Sequence, residues 1–171
     1  HGLIIADDTP ERLKAEQALR ESQQALKPPL SRIQGAFEST AAGPLAVAQL
    51  QHSSAIHCPN DPELYGGDQP YVRIFDPVPT GAEPGHCWPG GHSSGGFAMM
   101  SLYFVFRRAR PRLALAWLGG GFLYGFGLGF SRVVQGSHFV SHNLWAAVVC
   151  WTIALVLYEL LLRRYDERST D

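Results

Sequence analysis

The sequence predicts an all-α membrane protein, with three transmembrane helices following an N-terminal helix and a loop-rich segment. Three observations carry this. The 171-residue chain is segregated, its first ninety residues polar and rich in Pro and Gly and the rest largely apolar. The run Leu113 to Phe130 carries no charge across eighteen residues, long enough to enter a bilayer. Arginines cluster at one end of the apolar runs and histidines at the other.

Taken in order, Thr9-Pro10-Glu11 reads as a helix start, with Thr9 as N-cap, Pro10 in the first turn and an acidic residue near the positive dipole end. The helix is expected to run to Leu26 and to end at Pro28-Pro29. Leu19 and Leu26 form one weakly apolar stripe, as on a solvated surface helix. The stretch Gly2 to Ser22 resembles the last strand of a PAS sensor domain running into its signalling helix, and Ile33 to Val47 resembles the start of another. Neither is long enough to enclose a sensor pocket. Residues 1–48 are accordingly expected to be a sensor-like remnant or linker helix.

Between residues 49 and 91, Pro and Gly recur so densely that no long helix fits. Pro70 to Phe75 suits either a short strand or a set of aromatics at a membrane interface. Of the three cysteines, Cys150 lies inside an apolar run as inert packing, while Cys58 and Cys87 share the loop region, where an oxidising compartment would permit a bridge.

The apolar runs begin after His92. The first two are joined by Arg107-Arg108-Ala109-Arg110-Pro111-Arg112, and the third, Asn143 to Leu162, contains only Glu159 and closes on Arg163-Arg164. The positive-inside tendency places both arginine clusters in the cytoplasm. Both histidine segments then face the periplasm or exterior of a bacterial-type inner (plasma) membrane. Gly121, Gly125 and Gly129 recur every fourth residue, a small face suited to close helix approach within the chain or to self-association. His92 opens one helix, Arg132 and His138 follow the end of the next, and His142 opens the third, so these side chains are expected to converge at one membrane surface.

The residues Pro89-Gly90-Gly91-His92 and Ser131-Arg132-(five)-His138-(three)-His142 resemble the second and third signatures of the type 2 phosphatidic acid phosphatase superfamily, Pro-Ser-Gly-His and Ser-Arg-(five)-His-(three)-Asp. The first signature, Lys-(six)-Arg-Pro, would fall on Gln51-(six)-Cys58-Pro59, which lacks both cations. The resemblance covers about residues 49–165 and implies the later three helices of a six-helix membrane core. It implies hydrolysis of a lipid phosphate or diphosphate, with no cofactor and no catalytic metal. His138 would attack phosphorus and form a phosphohistidine, His92 would protonate the leaving oxygen, and Arg132 would clamp the phosphate. Imidazole and guanidinium suit those tasks. Backbone N–H groups at Gly90 and Gly91 would add donors at a helix start, and Arg73 is a candidate for a missing cation. His142 stands where the family has aspartate. It supplies no negative charge, and once protonated it would repel a cationic His138, so activity is expected to fall on the acidic side.

Two other classes stay open on the sequence. His86, His92, His138 and His142, with Cys58 or Cys87, offer ligands for a metal or haem. A catalytically silent relative serving as an anchor is the third. With 14 Lys and Arg against 15 Asp and Glu and no basic stripe, nucleic acid is excluded as a partner. The expected partners are membrane lipids and a lipid phosphate substrate.

Overall fold

The computed structural model describes residues 10–163. Helix α1 spans Pro10–His52, followed by a loop region to Gly90 that holds one short 3-10 turn, Glu63–Tyr65. Then come α2 (Gly91–Ala98), a 3-10 turn (Met99–Ser101), α3 (Leu102–Phe106), α4 (Pro111–Val134) and α5 (Val140–Leu157), which runs on into a π-helical turn, Tyr158–Leu162. Among the described residues there is no strand, and Pro70 to Phe75 is irregular backbone rather than the short strand its sequence allowed.

The first helix corrects an expectation. It passes through Pro28-Pro29 without a break and continues to His52, so residue 48 lies inside it. An interior proline costs a helix about 3 kcal/mol, but helix formers precede the pair, and tertiary packing holds the residues after it. Gly43 lies against Cys150 of α5, where an added Cβ would sit 3.2 Å from its Sγ. Val47 is fully buried with Phe97, Met100, Ala146, Ala147 and Cys150. The Thr40 and Ser101 hydroxyls are hydrogen-bonded at 2.9 Å. The C-terminal half of α1, including part of the segment likened to a second sensor domain, is thus a helix of the bundle. The expected Thr9 cap and the first residues of the stretch likened to a sensor domain's last strand and helix lie outside the described residues.

The hairpin appears with its first arm divided. Residues 91–106 are helical but pass through the 3-10 turn, and they are shorter than the other two arms. Two helices, Pro111–Val134 and Val140–Leu160, are long and apolar enough to cross a membrane, where three were expected. Their outward faces are apolar: Leu115, Leu123, Phe130, Val148 and Val156 are all exposed. Such a surface suits lipid better than water, which points to a membrane protein.

The glycines of α4 set how closely it packs. A Cβ on Gly125 would fall on the Phe97 ring, one on Gly121 would lie 2.8 Å from the Met100 nitrogen, and one on Gly129 would meet the Asn143 amide. The face considered for self-association is therefore buried inside the chain, against α2, the 3-10 turn and α5. At the opposite end of the bundle the Phe104 ring stacks on Tyr158 at 4.7 Å and on Trp151 at 5.1 Å. The Arg107 guanidinium lies 4.7 Å above the Tyr158 ring. That contact brings the arginine turn and the end of the last helix to one end of the molecule.

Candidate active site

The other end gathers the histidines, and the close of α4 shows how. Gly136 takes a left-handed φ of 70°, its N–H donates to the Val133 carbonyl at 2.9 Å, and the Ser137 N–H donates to the Arg132 carbonyl at 2.9 Å. This paired pattern ends a helix and turns the chain back. Arg132 is left in the last turn of α4, with His138 just beyond the reversal. The five-residue spacing between them is the length of this cap. His138 therefore precedes α5, which opens at Val140, instead of sharing a helical turn with His142.

Arg132 is held from two sides. Its Nη1 donates to Gln135 Oε1 at 3.0 Å, and its Nη2 donates to His92 Nε2. A guanidinium has no lone pair to offer, so His92 accepts through a bare Nε2 and carries its proton on Nδ1. Among the described residues no carboxylate pairs with Arg132. The site thus presents a cation without a counter-ion.

The start of α2 forms the floor. Ser93 and Ser94 donate their hydroxyls back to the Gly90 and Gly91 carbonyls at 2.9 and 2.6 Å. The Gly90 N–H, expected to face a phosphate, instead donates to the His142 carbonyl at 2.9 Å. A Cβ at Gly90 would lie 2.5 Å from Asn143 Oδ1, so the serine of the usual signature would require the Asn143 amide to shift. A Cβ at Gly91 would lie 2.5 Å from Gln51 Oε1, which puts Gln51 at the mouth of the same helix.

His138 is buried, its ring centroid 6.4 Å from that of His92 and 5.9 Å from that of His142. Its pKa is lowered, first by burial, then by repulsion from His92 whenever that ring takes up a proton and, to a smaller extent, by Arg132; the Cys87 carbonyl acts in the opposite direction. The ring is neutral at ordinary pH. Cys87 is bridged to Cys58, with Cα atoms 5.2 Å apart, and its Sγ lies 3.3 Å from His138 Nδ1. The same sulfur is 3.3 Å from the Ser137 carbonyl, a contact without a hydrogen bond because a disulfide sulfur has no proton. His142 and Asn143 are buried, and His142 Nδ1 and Asn143 Oδ1 have no hydrogen-bond partner among the described residues.

His92, Arg132, His138 and His142 therefore come together with Gly90 and Gly91. Both first-signature positions arrive as well, Gln51 against Gly91 and Cys58 through its bridge. Arg73 does not join them: it is exposed and lines a separate hollow with Leu50, Ser53, Ile56 and Trp88. His86 stacks on His52 at 5.4 Å, apart from the cluster. Cys58, Cys87 and His138 place three ligand-type atoms within 4.8 Å of one another, but with both sulfurs in the bridge only the imidazole remains as a donor. Sequence reasoning missed Gln135 and Asn143. Gln135 stands three residues after Arg132, a spacing that a helical reading can find, whereas Asn143 is visible only once the helices are packed.

No curated protein sequence and no solved structure matches the chain. A family model described as the PAP2 superfamily matches residues 35–166, most of the chain and all of the clustered residues. The match begins inside α1, in keeping with the packed C-terminal half of that helix. With the signature residues gathered at one end of a helical bundle and that match across them, the chain belongs to the PAP2 superfamily, which points to phosphatase activity on phosphate esters.

Proposed function

We propose that this protein is a membrane phosphatase that hydrolyses a lipid phosphate or diphosphate at the outer membrane face through a phosphohistidine on His138. The observation that carries the reading is the guanidinium of Arg132, without a carboxylate partner and resting on His92 beside His138. A phosphate entering the site takes over the Arg132 fork, for which its oxygens are the better acceptors. His92 Nε2 is then released to bind a proton and protonate the leaving oxygen. Neutral His138 attacks phosphorus in line, and water later cleaves the phosphohistidine, with His92 now acting as base. The Gly91 N–H at the start of α2 adds a donor to the phosphate.

The orientation rests on the arginine end, where Arg107 lies over Tyr158 and Arg110 and Arg112 occupy the same turn. Placing these in the cytoplasm sends the histidines outward, and the Cys58–Cys87 bridge then lies in the compartment where disulfides persist. The substrate is membrane-borne on this reading because the site opens where the apolar helices end.

The test is release of phosphate from a panel of phosphatidic acid, prenyl diphosphates and lipid A in mixed micelles, with trapping of labelled phosphate. Label on His138 in the parent protein, lost in His138→Ala, is the expected result. Label retained in that variant, or equal turnover by it, overturns the mechanism. A folded protein that releases phosphate from none of the panel is a silent relative. Labelling of a cysteine placed at Arg110 by an impermeant reagent from outside would overturn the orientation.

A further inference from the structure

We infer that the Cys58–Cys87 disulfide is a positioning group for His138, fixing its proton on Nδ1, so that the activity depends on the bridge being oxidised. The inference rests on the phosphohistidine reading of the site. In the family pattern the nucleophile's second nitrogen is served by an aspartate, and here that position is His142, which brings no charge. The atom found at His138 Nδ1 is the Cys87 sulfur, 3.3 Å away. In the bridge that sulfur carries no hydrogen and is only a weak acceptor. The contact is a hydrogen bond only if Nδ1 bears the proton. Nε2 then keeps its lone pair, and Nε2 is the nitrogen left to attack.

The sulfur is itself firmly placed. The Cys87 N–H donates to the Ile56 carbonyl at 2.9 Å, and the neighbouring His86 N–H donates to the Ser54 carbonyl at 3.1 Å. The Cys58 N–H donates to Asp61 Oδ2 at 3.0 Å. The bridge thus joins two backbone-bonded segments directly behind the buried imidazole.

Reduction by a dithiol adds two electrons and two protons and yields two thiols, the dithiol becoming a disulfide. A Cys87 thiol can donate to Nδ1, and that reverses the hydrogen bond and moves the ring proton to Nε2. The nucleophilic lone pair is then lost from the attacking position. The freed thiolates and His138 also form a donor set that a soft divalent cation would take, so the assays include a chelator.

The experiment compares oxidised protein, the same folded protein after mild reduction, and Cys58→Ser, in micelles with EDTA. NMR of isotope-labelled histidine reads the His138 tautomer, a measurement that does not require turnover. The expected result is the Nδ1–H form in the oxidised protein and loss of that preference in the other two. An unchanged tautomer overturns the inference even if the phosphatase reading fails, and a changed one with helicity retained upholds it. Where a substrate is turned over, kcat should fall at least about tenfold on reduction, well short of the roughly 10⁴-fold lost when a triad carboxylate holding a tautomer is altered. Inhibition by inorganic phosphate, which depends on Arg132 and the α2 start, should stay within about twofold. Equal kcat before and after reduction overturns the inference, and a parallel loss of phosphate inhibition and helicity marks the bridge as merely structural and overturns it too.

Discussion

The two ends of the bundle are built on different principles. At the arginine end, Phe104, Trp151 and Tyr158 stack face to face and Arg107 covers them. At the histidine end, helices stop, a glycine cap turns the chain, and a disulfide ties the loop down. The four buried side-chain atoms without partners among the described residues, His57 Nε2, Trp88 Nε1, His142 Nδ1 and Asn143 Oδ1, lie at the histidine end or in its loop. A buried polar atom left unpaired costs roughly 1–3 kcal/mol. The molecule holds that cost where chemistry is expected and packs aromatics where it is not. Stability and function are therefore separable by mutation.

The sharpest way to expose the separation is His138→Ala. It should lower turnover by about 10³-fold or more, as loss of a nucleophile does, while the thermal unfolding temperature in detergent stays near the parent's. A matching loss of stability would show that the histidine end carries the fold as well. Phe104→Ala should do the reverse. Removing a stacked, buried ring costs about 3–5 kcal/mol, read as a lower unfolding midpoint, with kcat unchanged in the protein that remains folded. A drop in kcat without unfolding would mean that the two ends are coupled.

The next effect is one of pH. His138 is depressed, so it stays a neutral nucleophile below the ordinary histidine value of about 6.5, and activity through it should persist until pH falls through its lower folded value. The stability effect has the same sign. Below about 6.5 the unfolded chain binds a proton that the folded chain refuses, so stability falls with pH from there down to the folded pKa. In His138→Gln the unfolding midpoint should lose part of its acid sensitivity; an unchanged pH dependence would sink the assignment. His142→Asp should extend turnover further toward acid, since a carboxylate beside His138 stabilises the cation formed on attack. The smallest effect is expected from Arg107→Ala, about 0.5–1 kcal/mol for one cation–π contact, with no change in turnover.

Much of the histidine end was legible in the sequence because its spacings are local. Ser131-Arg132-(five)-His138 is the length of one helix cap, and Gly90-Gly91-His92 is one helix start, so neither needs the rest of the chain to be recognised. The loop cysteines could be paired in thought since few other thiols compete. Less legible was whatever depends on who packs against whom. Proline chemistry read locally ended α1 at Pro28, yet Gly43 and Val47 draw its later half into the bundle. A glycine stripe reads the same whether it faces a second molecule or the chain's own Phe97. Arg73 was a reasonable cation by type, and only the path of the loop sends it to another hollow.

By itself the sequence determined the helical class, the two long apolar helices, the arginine and histidine ends, and the identities of His92, Arg132 and His138, because composition, periodicity and short spacings act within a few turns. Tertiary structure alone decided that the Gly90 N–H binds the His142 carbonyl, that Asn143 fills the space a serine would need, and that a disulfide sulfur stands behind the buried imidazole. Each of these is a contact between residues about fifty apart in sequence. Such contacts are fixed by how closely helices approach, and that distance is set by the packing of every side chain between them.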